Sequence, residues 1–498
     1  MPRNPNRTLS KSRVIKGIQC PKALYLATFR PELATPIGPM QQAIFDQGHQ
    51  VGIEAQKRFP AGVLIDAPYT DPEGAIEQTH RAIQSGATAI FEAAFRHEGV
   101  LVRVDILHRE RADSPWYLLE VKSTTKAQEQ QVRDAAVQAW VLRGSGIELQ
   151  SVAVMHINNQ CVFPDLSNLF TVVDVTSDIV AFTDEIPQIV ARLHAVLASN
   201  DSPNVEIGPH CDDPYECDFK DHCFREKGVP EQSVFEIPGL GSKQKWLFYE
   251  SGQSDLAKID LENSKLKLKQ RIAIEATITG RRHINPVGIK TALRTWQYPL
   301  FHLDFETIGH AVPRYHGIRP YQQLPFQFSC HIQDRPGGPI RHAEHLHEDT
   351  SDPRSELTRA LLDALGESGS VVAYNMGFEA GCIRDLAQAC PDDAKRLEQI
   401  RGRLVDPLPI FRASVYDREF HGSFSIKYVA PAILGKALSY DGLPVSNGVE
   451  AQIAFDELIR PDTAPTRKSE LKAAMLAYCR RDTLAMVLLV DWLHSVAR

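Results

Sequence analysis

The stretch FHLDFETIGH, Phe301 to His310, sets two acids one residue apart inside an otherwise apolar run. Along an extended strand successive side chains point to opposite faces. Phe301, Leu303 and Phe305 then share one face and anchor it in a core, while His302, Asp304 and Glu306 share the other. Like charges aimed at one place repel and raise a pKa unless a cation compensates them. The alternation predicts a strand that presents a carboxylate pair to a cation, with a solvated sheet edge as the competing reading.

The final long segment, SELKAAMLAYCRRDTLAMVLLVDWLHSV (469–496), predicts a helix. Leu471, Met475, Tyr478, Asp482, Met486, Leu489 and Leu493 recur at three- and four-residue steps along one stripe. Asp482 thus sits inside an apolar face, where an unpaired carboxylate is costly. Tyr478 lies one turn earlier on the same side. Between strand and helix, SVVAYN predicts a further strand, and AYNMGFEAGCI supplies Asn375, Phe378 and Glu379. Asp406, in RLVDPLPIF, is an alternative fourth acid. Coincidental buried acids satisfied by Arg or Lys remain the alternative to a metal site.

Together these segments resemble, over about residues 297–498, the DnaQ-like DEDD exonucleases of the tyrosine subtype. The resemblance implies an RNase H-like fold and 3′–5′ exonuclease chemistry. It also implies two Mg²⁺ or Mn²⁺ ions held by Asp304, Glu306, Glu379 and Asp482, and an attacking water positioned by Tyr478. Glu379 departs from the family's Asp by one methylene. SFSIKYVAP, with Ser425 and Lys427, resembles the segment before the family's last motif.

Upstream, FEAAFRHEGVLVRVDILHRE predicts a hairpin turning at RHEG, WYLLEVKS and SVAVMHIN predict strands, and AQEQQVRDAAVQAWVLRG predicts a helix. These segments supply Asp105, then Glu120 and Lys122 on one strand face, then Gln138. Two carboxylates can hold a divalent ion and a lysine can polarise a water. Gln138 could orient that lysine or a phosphate. The competing reading is a half-buried strand pair with incidental charges. The order resembles the PD-(D/E)xK nucleases of the RecB and CRISPR-associated exonuclease type, over about residues 15–225. That resemblance implies Asp105, Glu120 and Lys122 as the metal and catalytic set, with Gln138 accessory. Members of this group often carry a ligating histidine on an early helix. FDQGHQVGIEAQKRF offers His49, but Gly52 interrupts the expected spacing, so His49 reads as a solvated helix residue.

Nine cysteines are present, and three of them, Cys211, Cys217 and Cys223, fall within HCDDPYECDFKDHC. Their spacing is wider than that of the usual zinc-finger pair. Cys20, in CPKALYL, is the natural fourth ligand. One cysteine before the nuclease core and three after it resembles the iron–sulfur RecB-like nucleases. That implies a structural [4Fe–4S] cluster, with zinc as the alternative.

Residues 231–296 read as helical. In IPGLGSKQKWLFYESG, Gly239 and Gly241 resemble a helix-hairpin-helix turn that offers backbone N–H groups to phosphate. A plain interhelical turn fits equally. Lys265, Lys267, Lys269 and Arg271 extend a candidate phosphate surface, or simply solvate a helix. Pro and Gly concentrate around 308–340, which predicts a long loop or hairpin excursion.

With 498 residues, more than one domain is expected. A net charge of −7 excludes a basic coat that binds nucleic acid indiscriminately. No apolar run approaches a membrane span, and the basic N-terminus has no following apolar core, so a cytoplasmic protein without membrane association is expected. The expected organisation is α/β: a PD-(D/E)xK domain at 1–230, a helical linker at 231–296 and an RNase H-like domain at 297–498. The expected function is metal-dependent hydrolysis of DNA, single-stranded or from free ends, in DNA processing or repair. RNA 3′–5′ exonuclease activity, or nucleic-acid binding by degenerate sites, is the alternative. Nothing in the sequence names a protein partner.

Overall fold

The computed structural model describes residues 8–262 and 265–498. The first seven residues of the basic N-terminal stretch, with Asn263 and Ser264 beside the lysine run, lie outside the described residues. The chain is mixed α/β and forms two compact units, Met1–Gly228 with His310–Tyr321, and Val229–Gly309 with Gln322–Arg498. Among the described residues, no helix is long and apolar enough to cross a membrane.

In the first unit, helices α1 (Lys11–Gln19), α2 (Pro21–Phe29) and α3 (Pro39–Gln56) precede strands β1 (Ala89–His97), β2 (Val100–His108) and β3 (Trp116–Lys122). The β1–β2 hairpin turns at Glu98 and Gly99, both at positive φ, as a tight turn between right-twisted strands requires. Helix α4 (Glu129–Gly144) crosses to β4 (Leu149–Ile157), parallel to β3, and β5 (Phe170–Asp174) follows antiparallel. Strands of one sense cannot be joined by a hairpin, so α4 is the crossover. Its alanines 135, 136 and 139 let it lie close to the sheet in a core with Phe95, Val102, Leu118 and Val154. Helix α5 (Val180–Ala198) adds Ile186, Val190 and Leu193 to that core. The segment 310–321 completes a second cluster, with Ala311 against Val51, Ile157 and Leu169. It is tied by Phe163 N–H to Ile318 O (3.0 Å) and Gly317 N–H to Phe163 O (2.9 Å). The Tyr321 hydroxyl donates to the Ser123 carbonyl.

The second unit opens with α6 (Ser242–Glu250), α7 (Leu268–Thr279) and α8 (Pro286–Leu293). Read from sequence as a linker, this stretch packs into the second unit, where Ala273 and Ala276 of α7 share a core with Phe411, Leu489 and Leu493. The sheet that follows comprises β6 (Leu300–Ile308), β7 (Leu324–Gln333), β8 (Ile340–Leu346), β9 (Ser370–Val372) and β10 (Leu404–Val405), in the order β8-β7-β6-β9-β10. β7 is antiparallel to both of its neighbours, β6 and β8, and β9 and β10 run parallel to β6. Helices α9 (Arg354–Ala364) and α10 (Gly377–Ala389) cover one face, where Leu357, Leu361, Ile383 and Leu386 pack on Phe301, Leu303, Phe305 and Phe328. Helices α11 (Ile426–Leu434) and α12 (Pro465–Val496) follow, α12 reaching β6 and β7 on the other face.

Of the long loop and the hairpin excursion expected at 308–340, strand β7 supports the hairpin, since it runs antiparallel to both β6 and β8. All ten of its residues are buried. Its second face is polar, which hid it between the flanking prolines and glycines, and α12 satisfies that face. Gln327 Nε2 donates to Met475 O (2.9 Å), and Ser329 Oγ and His331 Nδ1 lie 2.7 and 2.8 Å from Thr483 Oγ1. Gln333 Nε2 reaches Asp491 at 3.1 Å.

Candidate metal centres

In the second unit the strand alternation holds: β6 buries Phe301, Leu303 and Phe305 in one core, and Asp304 and Glu306 point away from it. Helix α12 brings Asp482 and Tyr478, and the first turn of α10 brings Glu379. Glu306, Glu379 and Asp482 are only 3–6 % exposed. Burial, then Asp482, Glu306 and Glu379, push the Asp304 carboxyl far above its ordinary range. Burial and Asp482 raise Glu306, against Lys427. Chiefly by burial, Glu379 is pushed up to about 8, and its Oε2 lacks a hydrogen-bond partner. Burial takes Asp482 to about 6, with Tyr440, Lys427 and Tyr478 holding it down. Ligand atoms of Asp304, Glu306 and Cys479 lie within 4.8 Å of one another. Four carboxyl groups in a buried site with one nearby lysine cannot all ionise without a further cation, and their oxygens suit a hard divalent ion, beside which burial keeps the Cys479 thiol protonated.

One residue of this site, Tyr440, was not legible as such, and Lys427 was legible only as part of the resembling segment SFSIKYVAP. Tyr440, in the loop after α11, donates from its hydroxyl to Asp482 Oδ1. Lys427, on α11, is held by Ser446 O at 2.6 Å, with Nζ 5.4 and 5.1 Å from the Tyr440 and Tyr478 ring centres. Ser425, before it, caps the start of α11. Asp406, the alternative fourth acid, is engaged by the backbone. It accepts from Asn375 N–H (3.0 Å), Met376 N–H (3.2 Å) and Leu408 N–H (2.8 Å), holding the turn before α10 in which Asn375 adopts φ +67°. Glu379, and not Asp406, is the acid on this side that Asp304 and Glu306 feel. Phe378 is half-exposed beside it.

In the first unit, Ile106 pairs with Leu119, which brings Asp105 beside Glu120. Asp105 Oδ2 accepts from Val121 N–H at 2.7 Å. Burial and then Glu120 push Asp105 up to about 7. Glu120 is fully buried, yet Lys11 and Lys122, each 2.6 Å from its Oε1, overcome that burial and hold it ionised. Lys122 also reaches Asp134 at 3.0 Å. Gln138 donates to Glu120 Oε2 and orients that carboxylate rather than the lysine. Glu92 was missed: at φ +56° in β1 it feels Glu120, Lys11 and His49, and burial raises it. The cue, an acid in the apolar run AIFEAAF, was the one that singled out Asp304. His49 is exposed on α3, within electrostatic reach of Glu92. Asp105 and Glu120 are thus adjoining buried carboxyl groups, with Lys11 and Lys122 the cations that answer Glu120.

Cys20, Cys211, Cys217 and Cys223 line one cavity, with Lys22, His210 and Lys220. Burial raises the Cys211 and Cys223 thiols and takes Cys217 up to about 11. Four thiol donors around one space fit a thiolate-held metal group, iron–sulfur or zinc. The glycine turn and lysine run lie in the second unit. Gly239 has φ +66°, and its carbonyl accepts from Gln270 Nε2 (3.1 Å), while Gly241 caps α6. Lys265, Lys267 and Lys269 are exposed, and Lys269 lines a cavity with Gly239, His283 and Arg412.

A family described as a domain of unknown function (DUF2779) matches residues 301–425, a stretch that holds Asp304, Glu306 and Glu379 and ends before Asp482. The H/ACA ribonucleoprotein complex subunit 4 of Arabidopsis thaliana is 25 % identical over 182 residues, 32 % of each chain. The chain thus spans about a third of that relative's length.

Proposed function

We propose that the chain is a metal-dependent phosphodiesterase with two hydrolytic centres that trims DNA from free ends. The observation that carries this is the convergence of Asp304, Glu306, Glu379 and Asp482, drawn from one strand and two helices, into one buried site with Tyr478. Two divalent ions held there would stabilise the attacking and leaving oxygens of phosphodiester hydrolysis. The remaining work belongs to the chain. Burial and the adjoining carboxylates keep the Tyr478 phenol protonated, so it orients a water or phosphate oxygen by donating and does not abstract a proton. Tyr440 fixes the Asp482 carboxylate by its hydrogen bond, and Lys427 offsets part of the charge on Glu306 and Asp482. In the first unit, Asp105 and Glu120 are the ligand pair, Lys122 polarises the nucleophile and Gln138 orients Glu120. A [4Fe–4S] cluster on the four cysteines would tie α2 to the segment after α5. RNA is the second substrate reading, favoured by the likeness to a protein named as a ribonucleoprotein subunit.

The test is a panel of end-labelled DNA and RNA strands with Mg²⁺ or Mn²⁺. Asp482→Ala should reduce 3′-end trimming by at least about 100-fold, the upper range for losing even an outer partner of a metal site. Lys122→Ala should spare that trimming. A double variant that degrades every substrate like the wild type removes both centres from consideration. Purified without oxygen, the protein should be brown and contain iron, and Cys217→Ala should be colourless. Colourless wild-type protein with stoichiometric zinc replaces the cluster with zinc.

A further inference from the structure

A fourth cluster, at the end of β8 and the start of α9, uses none of the residues above. His345 and His347 are two apart, so an extended chain turns both rings to one side. Glu356 stands in the first turn of α9. One ligand atom from each of the three lies within 4.8 Å of the other two.

The hydrogen bonds around His347 define what is missing. Its ring is only 2 % exposed. Nε2 lies 3.0 Å from the Ser351 carbonyl and 3.2 Å from Asp349 Oδ1, both acceptors, so Nε2 carries a proton. Nδ1 lies 3.3 Å from Glu356 Oε2. In the neutral ring Nδ1 is then a lone pair facing a carboxylate oxygen, a pairing that only a cation between them makes favourable. A proton there would answer for His347 alone. Nε2 of His345 is buried with no hydrogen-bond partner among the described residues, and an orphaned buried nitrogen calls for an ion or water. Asp349 and the Ser351 carbonyl on Nε2 of His347 are the outer partners that fix the ring and tautomer of a ligating histidine.

We propose that His345, His347 and Glu356 bind a zinc ion, with the fourth position open. Two imidazoles and one carboxylate suit zinc, whose tetrahedral sites use these donors, better than magnesium, which takes oxygen. The ion cross-links edge strand β8 to α9 across residues 347–353 and stands independently of the nuclease assignment.

The experiment strips the full-length protein with a chelator and titrates it with Zn²⁺. Bound zinc is counted by elemental analysis, and the unfolding temperature is followed in parallel. His345→Ala and Glu356→Gln should each lose one zinc equivalent, and with it the part of the zinc-dependent rise that the site supplies. Asp304→Asn and Cys211→Ala should keep that equivalent. Retention of the wild-type equivalents and affinity in both His345→Ala and Glu356→Gln overturns the site and leaves a proton between His347 and Glu356. Glu356 is half-exposed, so Glu356→Gln decides the matter even where His345→Ala does not fold.

Discussion

At the scale of single residues, the second unit's carboxylates are held away from their ordinary ionisation. Glu379 titrates at about 8 and Asp482 at about 6, both raised by burial. Over that window the folded, metal-free chain binds protons that the unfolded chain has released, so these groups make its stability fall as pH rises. A divalent ion needs the deprotonated carboxylates, so its stabilisation grows across the same window. Asp105, at about 7, adds an effect of the same sign. The rise in unfolding temperature on adding Mn²⁺, relative to chelator, should therefore be larger at pH 8.5 than at pH 6. A gain that shrinks toward alkaline pH would count against carboxylate ligation. Asp304 and Glu306 were legible because two acids share one face of an apolar run, and Asp482 because an acid inside an apolar stripe breaks a pattern. Tyr440 and Lys11 were not, because their partners lie 42 and 109 residues away and polar residues in a loop or helix start break no pattern.

At the scale of elements, Asp482 is aimed by the polar face of β7. Gln327, Ser329, His331 and Gln333 bond in turn along α12, so the helix cannot slide or rotate without breaking several buried hydrogen bonds. Thr483, next to Asp482, is the pivot, with its hydroxyl shared between Ser329 and His331. Thr483→Val keeps the shape, strands His331 Nδ1 and leaves Ser329 with His342 alone, at about 1–3 kcal/mol for the buried polar group left unsatisfied. A lowered unfolding midpoint is the expected outcome, read by calorimetry. An unchanged midpoint would mean that apolar packing alone places α12. The stripe on α12 could be read from its period, but its partner could not. β7 alternates as cleanly as β6, yet half of its alternation is polar and makes sense only beside Thr483 and Asp491.

At the scale of the whole molecule, the two units are not consecutive in sequence. The first is finished by 310–321, a segment framed on both sides by strands of the second. A fragment of residues 1–230 lacks Ala311, Val312 and Tyr321, and exposes the apolar surface of Val51, Ile157 and Leu169. Such a fragment should melt at a lower temperature than the same unit in the full chain, or aggregate, as circular dichroism and light scattering would detect. The α/β class was readable from motif order. The inserted segment was not, because in AVPRYHGIRPY Pro313, Gly317 and Pro320 break any period among the apolar residues and nothing shows where they dock. That insertion also sets a timetable for synthesis. A ribosome adds roughly 5–20 residues per second, so the first unit waits about 5–20 s after Gly228 for the strip that closes it. During that interval β6 and its acids are made before either unit has a complete core, and the nascent chain is at its most exposed to proteases and chaperones.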